Sequence, residues 1–114
     1  MRRDLGMRRG KEIAQGAHAS MMWLAERIRQ ANPAFSIAER QWLGGAFTKV
    51  CVRADSEEEL LGIVEAARRA GVMVHLVVDA GRTEFHGIPT PTCCAVGPDF
   101  PDRIDPITGH LKLL

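Results

Sequence analysis

Apolar residues recur at spacings of three and four along Ile13, Ala17, Met21, Leu24, Ile28 and Ala31. That stripe predicts a helix over residues 10–31 with these side chains turned to the core. Asn32-Pro33 ends it, because the residue before a proline is pushed out of helical geometry. Ser36 followed by Glu39 is a capping-box pattern, which predicts a short helix through Leu43 that Gly44 and Gly45 terminate. Over residues 48–54, Val50 and Val52 alternate with Lys49, Cys51 and Arg53, the pattern of a strand. Ser56 and Glu59 repeat the capping box, and the acidic run Glu57, Glu58, Glu59 suits a helix start. This helix should reach Ala70 and stop at Gly71, with Leu60, Val64 and Ala67 in the core and Leu61 alongside. Residues 72–78 form a nearly continuous apolar, β-branched run, as in a strand covered on both faces. His75 within it reads as a hydrogen-bonded core residue. Residues 79–91 read as a loop and 92–96 as a strand. Residues 97–114 read as turns with an apolar tail at Leu111, Leu113 and Leu114.

Strand, helix, strand between residues 48 and 78 is the order of a parallel crossover, and helices on either side predict a three-layer α/β domain. The 114 residues suit one such domain over the whole chain, 1–114, with a core that needs no metal or disulfide staple. No apolar run reaches the ~18 residues of a membrane span, and no apolar stretch follows the basic N-terminus as a signal peptide requires. The expected location is the cytoplasm. Cys51, Cys93 and Cys94 show neither CxxC nor metal-ligand spacing and read as small buried apolar residues.

The net charge of +1 hides a polarity. Residues 1–53 carry ten Lys or Arg against four Asp or Glu, whereas residues 54–114 carry five against ten. One face could therefore meet a polyanion, although solvated surface charge gives the same count.

Two constellations carry candidate chemistry. Lys11, Gln15 and His18, at i, i+4 and i+7, share a narrow stripe more than ~120° from the apolar one on average, so they should point away from the core. Arg8 and Arg9 precede them. A lysine, an amide and an imidazole near a helix start suit a phosphate or a developing oxyanion; an idle solvated face is the ordinary alternative. The second constellation is Asp79-Ala80-Gly81-Arg82-Thr83, just past the buried strand, where α/β folds place ligands. Asp79 could orient a water or a lysine, Thr83 could share a hydrogen bond, Arg82 could clamp a phosphate and Gly81 could admit close backbone approach. A plain Asp-Gly turn remains open for this run.

The order RRDLGMRRGKEIAQGAHAS, KVCVRADSEEEL, DAGRTEF, AVGPD and ID-x-x-TGHLKLL resembles the archaeal and eukaryotic peptidyl-tRNA hydrolases over nearly the whole chain. GK-x-x-AQ-x-x-H, DAGRT and TGHLKL are specific only in combination. The resemblance implies a mixed, roughly four-stranded sheet flanked by helices, no metal and no organic cofactor. It implies hydrolysis of the ester between a peptide and its tRNA, with Lys11, Gln15, His18, Asp79 and Thr83 as the catalytic set. Asp79, with Thr83, would position or deprotonate water; Lys11 would stabilise the oxyanion or protonate the leaving group; Gln15 would hold the substrate carbonyl. His18 would be a second acid-base group or would pack under Lys11. Gly81 lies within the motif, and Arg2, Arg3, Arg8, Arg9 and Arg82 are candidates for the tRNA acceptor end. A homodimer is a further expectation, and Thr108, Gly109 and His110 match a motif read as structural.

Two departures stand out. Members of the family carry an apolar strand before the residues matching Arg3 and Asp4, whereas Met1 opens this chain, so the first strand is expected to be truncated and to leave an open sheet edge. The segment Thr90-Pro91-Thr92-Cys93-Cys94 is richer in Pro and Cys than the family leads one to expect. Two rival readings compete with the hydrolase: a non-catalytic RNA- or protein-binding module on the same fold, and a thiol enzyme using Cys93 or Cys94.

Overall fold

The computed structural model describes all 114 residues. Its elements, in chain order, are α1 (Arg9–Ile28), α2 (Ile37–Gly44), α3 (Glu57–Arg69), β1 (Val74–Asp79), β2 (Thr90–Val96) and α4 (Pro101–Thr108). β1 and β2 form an antiparallel pair, with Val74 opposite Val96 and Val77 opposite Cys93. The chain is α/β, with a helix on each face of this pair. Val74, Leu76, Cys94 and Val96 pack toward α3, on a core of Leu60, Ile63, Ala67, Val72 and Ile107. Val77, Cys93 and Ala95 pack with Ala19 of α1.

α3 follows its pattern closely. Ser36 and Ser56 both cap as expected, each accepting the N–H of the glutamate three residues on. Leu60, Val64 and Ala67 are buried as predicted, joined by Ile63; Leu61 lies on the outer side, 38% exposed.

α1 inverts the prediction. Ile13, Met21 and Ile28 are 67%, 50% and 64% exposed, and the buried positions are Gln15, Ala19 and Trp23. The reason is what lies beneath. β1 presents His75, Val77 and Asp79 on this face, and a helix seated on them buries an amide at one end and a small residue in the middle. Gln15 reaches Asp79, Ala19 allows close approach to Val77, and Glu26 reaches His75 at 2.9 Å. The bonded reading of His75 holds through its Nε2, while its buried Nδ1 has no partner.

The four-stranded mixed sheet is not present as continuous ladders. Residues 48–54 form no strand and do not pair with β1; only isolated bridges remain, Arg2 parallel to Ala54 and Val52 antiparallel to Leu113. Backbone bonds stitch these segments, from Arg3 N–H to Ala54 O and from Arg53 N–H to Lys112 O. A strand needs a partner along its length, and residues 48–54 find theirs only in residues 1–3 and the last few residues. Val50 and Cys51 are accordingly exposed, which corrects the reading of Cys51 as buried.

The stretch read as turns contains α4. Its signals were Pro101 in the first turn, Asp102 beside it, and Ile104 and Ile107 three apart, which turn inward onto α3. Pro106 inside the helix masked them, since an interior proline ordinarily breaks a helix.

Candidate active site

The two constellations meet. The α1 start lies over the carboxyl end of β1, and Lys11 Nζ sits 2.6 Å from Asp79 Oδ2. The same ammonium donates to Thr83 Oγ1 at 3.1 Å, and Gln15 Nε2 donates to Asp79 Oδ2 at 3.0 Å. Asp79 Oδ1 accepts the Gly81 N–H at 2.9 Å. The Lys11 and Asp79 side chains are 15% and 13% exposed, so the pair is reachable from solvent yet poorly hydrated. The hydrogen bond from Lys11 holds the Asp79 carboxyl below the ordinary carboxylate range. Burial works against this, while the Gly81 N–H and the Gln15 amide assist it.

The loop after β1 is folded back on itself. Gly81 O accepts from Phe85 N–H and Gly87 N–H, and Ile88 N–H returns to Phe85 O. Gly81 has φ +78°, and any Cβ there would collide with the Ile88 backbone, so glycine is required on both counts. The turn thereby delivers Thr83 to Lys11 and brings the Phe85 ring to 5.7 Å from its ammonium. Glu84 fastens the loop to the α1 start by accepting from Arg8 Nε at 2.7 Å. That bond from Arg8 lowers the Glu84 pKa.

Gln15 is 4% exposed and has both ends engaged. Its Oε1 accepts from Thr92 Oγ1 at 2.5 Å while its Nε2 faces Asp79. The expectation that Gln15 lies on a stripe pointing away from the core is therefore corrected: its amide is buried, with both ends bonded within the protein. His18 is exposed on the outer side and makes no hydrogen bond to Lys11, Gln15 or Asp79.

Thr92 was not singled out by the sequence reading. It is fully buried and sits at a break in the β1–β2 register, where Val77 faces Cys93 but Val78 faces Pro91. Thr92 is thus the extra residue of a β-bulge, and the only signal for it was Pro91, which strands tolerate at bulges.

The arginines divide. Arg2, expected among the residues for the tRNA acceptor end, is instead enclosed: its side chain is 8% exposed and bonds Asp4, Glu57 and the Pro91 carbonyl. Its bond to Asp4 raises the Arg2 pKa and lowers that of Asp4. Arg3 pairs with Glu12, Arg8 with Glu84, and both remain largely exposed. Arg9 and Arg82 are exposed. Cys93 is buried and Cys94 half-buried; burial raises the pKa of both, that of Cys94 to about 11, which disfavours the thiolate that nucleophilic chemistry needs. No three His, Cys, Asp or Glu side chains gather as metal ligands, and no helix is long and apolar enough to cross a membrane.

Over residues 1–114, the whole chain, the sequence matches the family described as peptidyl-tRNA hydrolase PTH2. It is 42% identical over 114 residues to the peptidyl-tRNA hydrolase of Methanocaldococcus jannaschii, covering all of this chain and 95% of that protein. Against the peptidyl-tRNA hydrolase of Haloquadratum walsbyi it is 39% identical over 112 residues, covering 98% and 93%. Against the human mitochondrial peptidyl-tRNA hydrolase 2 it is 38% identical over 113 residues, covering 99% of this chain and 60% of the human protein.

Proposed function

The chain belongs to the peptidyl-tRNA hydrolase PTH2 family, and from that premise we propose how its side chains divide the work of hydrolysing the ester of peptidyl-tRNA. The observation that carries the reading is the Lys11–Asp79 pair, two opposite charges 2.6 Å apart in a half-dry site. An ester to a ribose hydroxyl is already reactive, so water held in line and one fixed positive charge are the main needs.

Asp79 ionises easily and is thus a weak base. Its task is to orient: a free lone pair accepts from the attacking water, and its charge holds the Lys11 ammonium in place. Lys11 stabilises the oxyanion of the tetrahedral intermediate and gives a proton to the ribose oxygen as its C–O bond breaks, while the proton of the attacking water passes through Asp79 back to Lys11, so that both groups end as they began. Thr83 shares the Lys11 protons and steers them. Gln15 keeps the carboxylate aimed, and His18, on the exposed side, is left to contact the tRNA end rather than the reacting ester. Arg3, Arg8, Arg9 and Arg82 supply phosphate contacts around the mouth, with Gly81 shaping the loop. Every role falls on a side chain, so neither metal nor organic cofactor is required. A homodimer remains part of the proposal, favoured by the apolar outer stripe of α1. So does a mixed sheet beyond β1 and β2, favoured by the parallel and antiparallel bridges beside residue 54.

The test is release of N-blocked aminoacyl groups from tRNA, with and without EDTA, for wild type, Lys11→Ala and Asp79→Ala. Turnover unaffected by EDTA, lost in both folded variants, supports the assignment. A wild type that binds tRNA without turning it over supports the binding-module reading instead. Apparent tRNA affinity should also fall steeply with salt, and Arg82→Ala or Arg9→Ala should each flatten that dependence.

A further inference from the structure

Along β2 the side chains alternate, Cys94 and Val96 toward α3, Cys93 and Ala95 toward α1. Strict alternation would send Thr92 toward α3 with Cys94. Instead Thr92 Oγ1 and Cys93 Sγ, on consecutive residues, both reach Gln15 of α1: the hydroxyl lies 2.5 Å from Oε1 and the sulfur 3.3 Å from the main-chain oxygen. Two neighbours on one side of a strand require the bulge, which places one extra residue opposite the step from Val77 to Val78.

The Thr92 hydroxyl has one proton. The Val77 carbonyl is a poorer recipient at 3.4 Å than Gln15 Oε1 at 2.5 Å. When the proton goes to Oε1, the Gln15 amide is locked with its N–H protons toward Asp79. Were the amide reversed, its oxygen would face the Asp79 carboxylate, and two acceptors would repel unless Asp79 took up a proton.

We propose that Thr92 is a positioning residue for the hydrolysis: turned to α1 by the bulge, its hydroxyl donates to Gln15 and so aims the Gln15 amide protons at the Asp79 carboxylate. This rests on the hydrolase reading of the same site. Thr92 touches no substrate, being fully buried, and acts through Gln15 alone. The other groups facing Asp79 are Lys11 from α1 and the Gly81 N–H from the loop, with Thr83 and Glu84 reaching it only through Lys11. Lys11 sets the larger part of the carboxylate's character, and Thr92 adds the part that depends on the orientation of one amide.

The experiment replaces Thr92 with Val, which keeps the shape and removes the hydroxyl, and with Ser, which keeps the hydroxyl. Two quantities are followed: the titration of the Asp79 side-chain carboxyl by carbon NMR in the substrate-free protein, and kcat and KM against pH. In Thr92→Val the Asp79 titration and the acid limb of kcat are expected to move together to higher pH, with kcat near neutrality about tenfold lower, the size of one hydrogen bond to a charged group. KM should be unchanged, and Thr92→Ser should titrate as wild type does. Should the Val variant fail to fold, Thr92→Ala provides the hydroxyl-free side chain with the same expected displacement. An Asp79 titration unmoved in a folded hydroxyl-free variant overturns the proposal, as does a Ser variant displaced as far as Val. A displaced Asp79 titration in a protein whose wild type does not turn over peptidyl-tRNA supports Thr92's hold on Asp79 and overturns the hydrolase reading.

Discussion

α1 and α3 lie on opposite faces of the same two strands and obey different rules. α3 buries Leu60, Ile63 and Ala67 against Val74, Leu76, Cys94 and Val96, and Val64 is buried beside them in sequence, so its apolar stripe and its buried face coincide. α1 buries Gln15, Ala19 and Trp23 and leaves Ile13, Met21 and Ile28 outside. The α3 face is held by area removed from water, which is non-directional and tolerant of exact placement. The α1 face is held at one end by a chain of directed bonds, Lys11 and Gln15 to Asp79 and Thr92 to Gln15. Such a chain costs desolvation and is worth having only when every member is satisfied. Hydrophobic periodicity thus states which side chains can be buried at low cost, and a buried polar site on the facing strand can outvote it.

The contrast can be broken most severely at the site. Lys11→Ala and Asp79→Asn are each expected to lower kcat by about a hundredfold to a thousandfold, the size of losing one preorganised charge stabiliser. Both proteins should keep their circular-dichroism spectrum. A loss of activity that merely tracks unfolding would place the pair in the scaffold instead.

Next in size is the α3 face, where Leu60→Ala should cost about 2–5 kcal/mol of unfolding free energy in a denaturant titration. The folded fraction should retain wild-type kcat, because nothing on that face touches Asp79. A changed kcat per folded molecule would mean the two faces are coupled.

Acid should separate the faces more gently. Asp79 and Asp4 both have carboxyls held below their ordinary range in the folded state, by Lys11 and Arg2 respectively. Such groups contribute stability that is present above the unfolded pKa and lost as pH falls through the folded pKa. The wild type is therefore expected to lose stability below the ordinary carboxylate range, Asp79→Asn to lose less over that window, and Leu60→Ala to run parallel to wild type. Denaturation midpoints measured across acidic pH check this.

The smallest effect belongs to the outer stripe of α1. Measured at a dilution where the proposed homodimer is dissociated, Ile13→Ser and Ile28→Ser should each change stability by less than about 0.5 kcal/mol, as exposed substitutions do. At higher concentration, a cost near that of Leu60→Ala would mean this stripe is covered in solution, and a change of apparent mass by light scattering would identify a second copy as the cover.

Much of this was legible in the residues. That Lys11 and Asp79 share one site followed only from the family resemblance, whereas the caps at Ser36 and Ser56, the stop at Gly71, and the buried face of α3 apart from its Leu61 and Ile63 positions follow from local spacing. These are short-range properties: a cap bonds three residues away, and a helical stripe is written in its own turn. Neither strand ladders nor polar pairing has that locality. Residues 48–54 carry a strand pattern but extend a sheet only where another segment lies beside them, which Arg2 and Leu113 do at single positions. Arg2 looks like any surface arginine until Asp4 and Glu57 are brought to it.

The chain by itself determined the two helices that sandwich the strands, because each is encoded in spacing along its own segment, whereas the Lys11–Asp79 pair joins residues 68 positions apart. Only the tertiary structure decided which side of α1 faces inward, that the Gln15 amide is bonded at both ends, and that Thr92 is turned toward it. Each depends on groups more than sixty residues apart in sequence, Gln15 with Asp79 and with Thr92. The energy of a hydrogen bond depends on the geometry between its partners, and no periodicity along one segment records that.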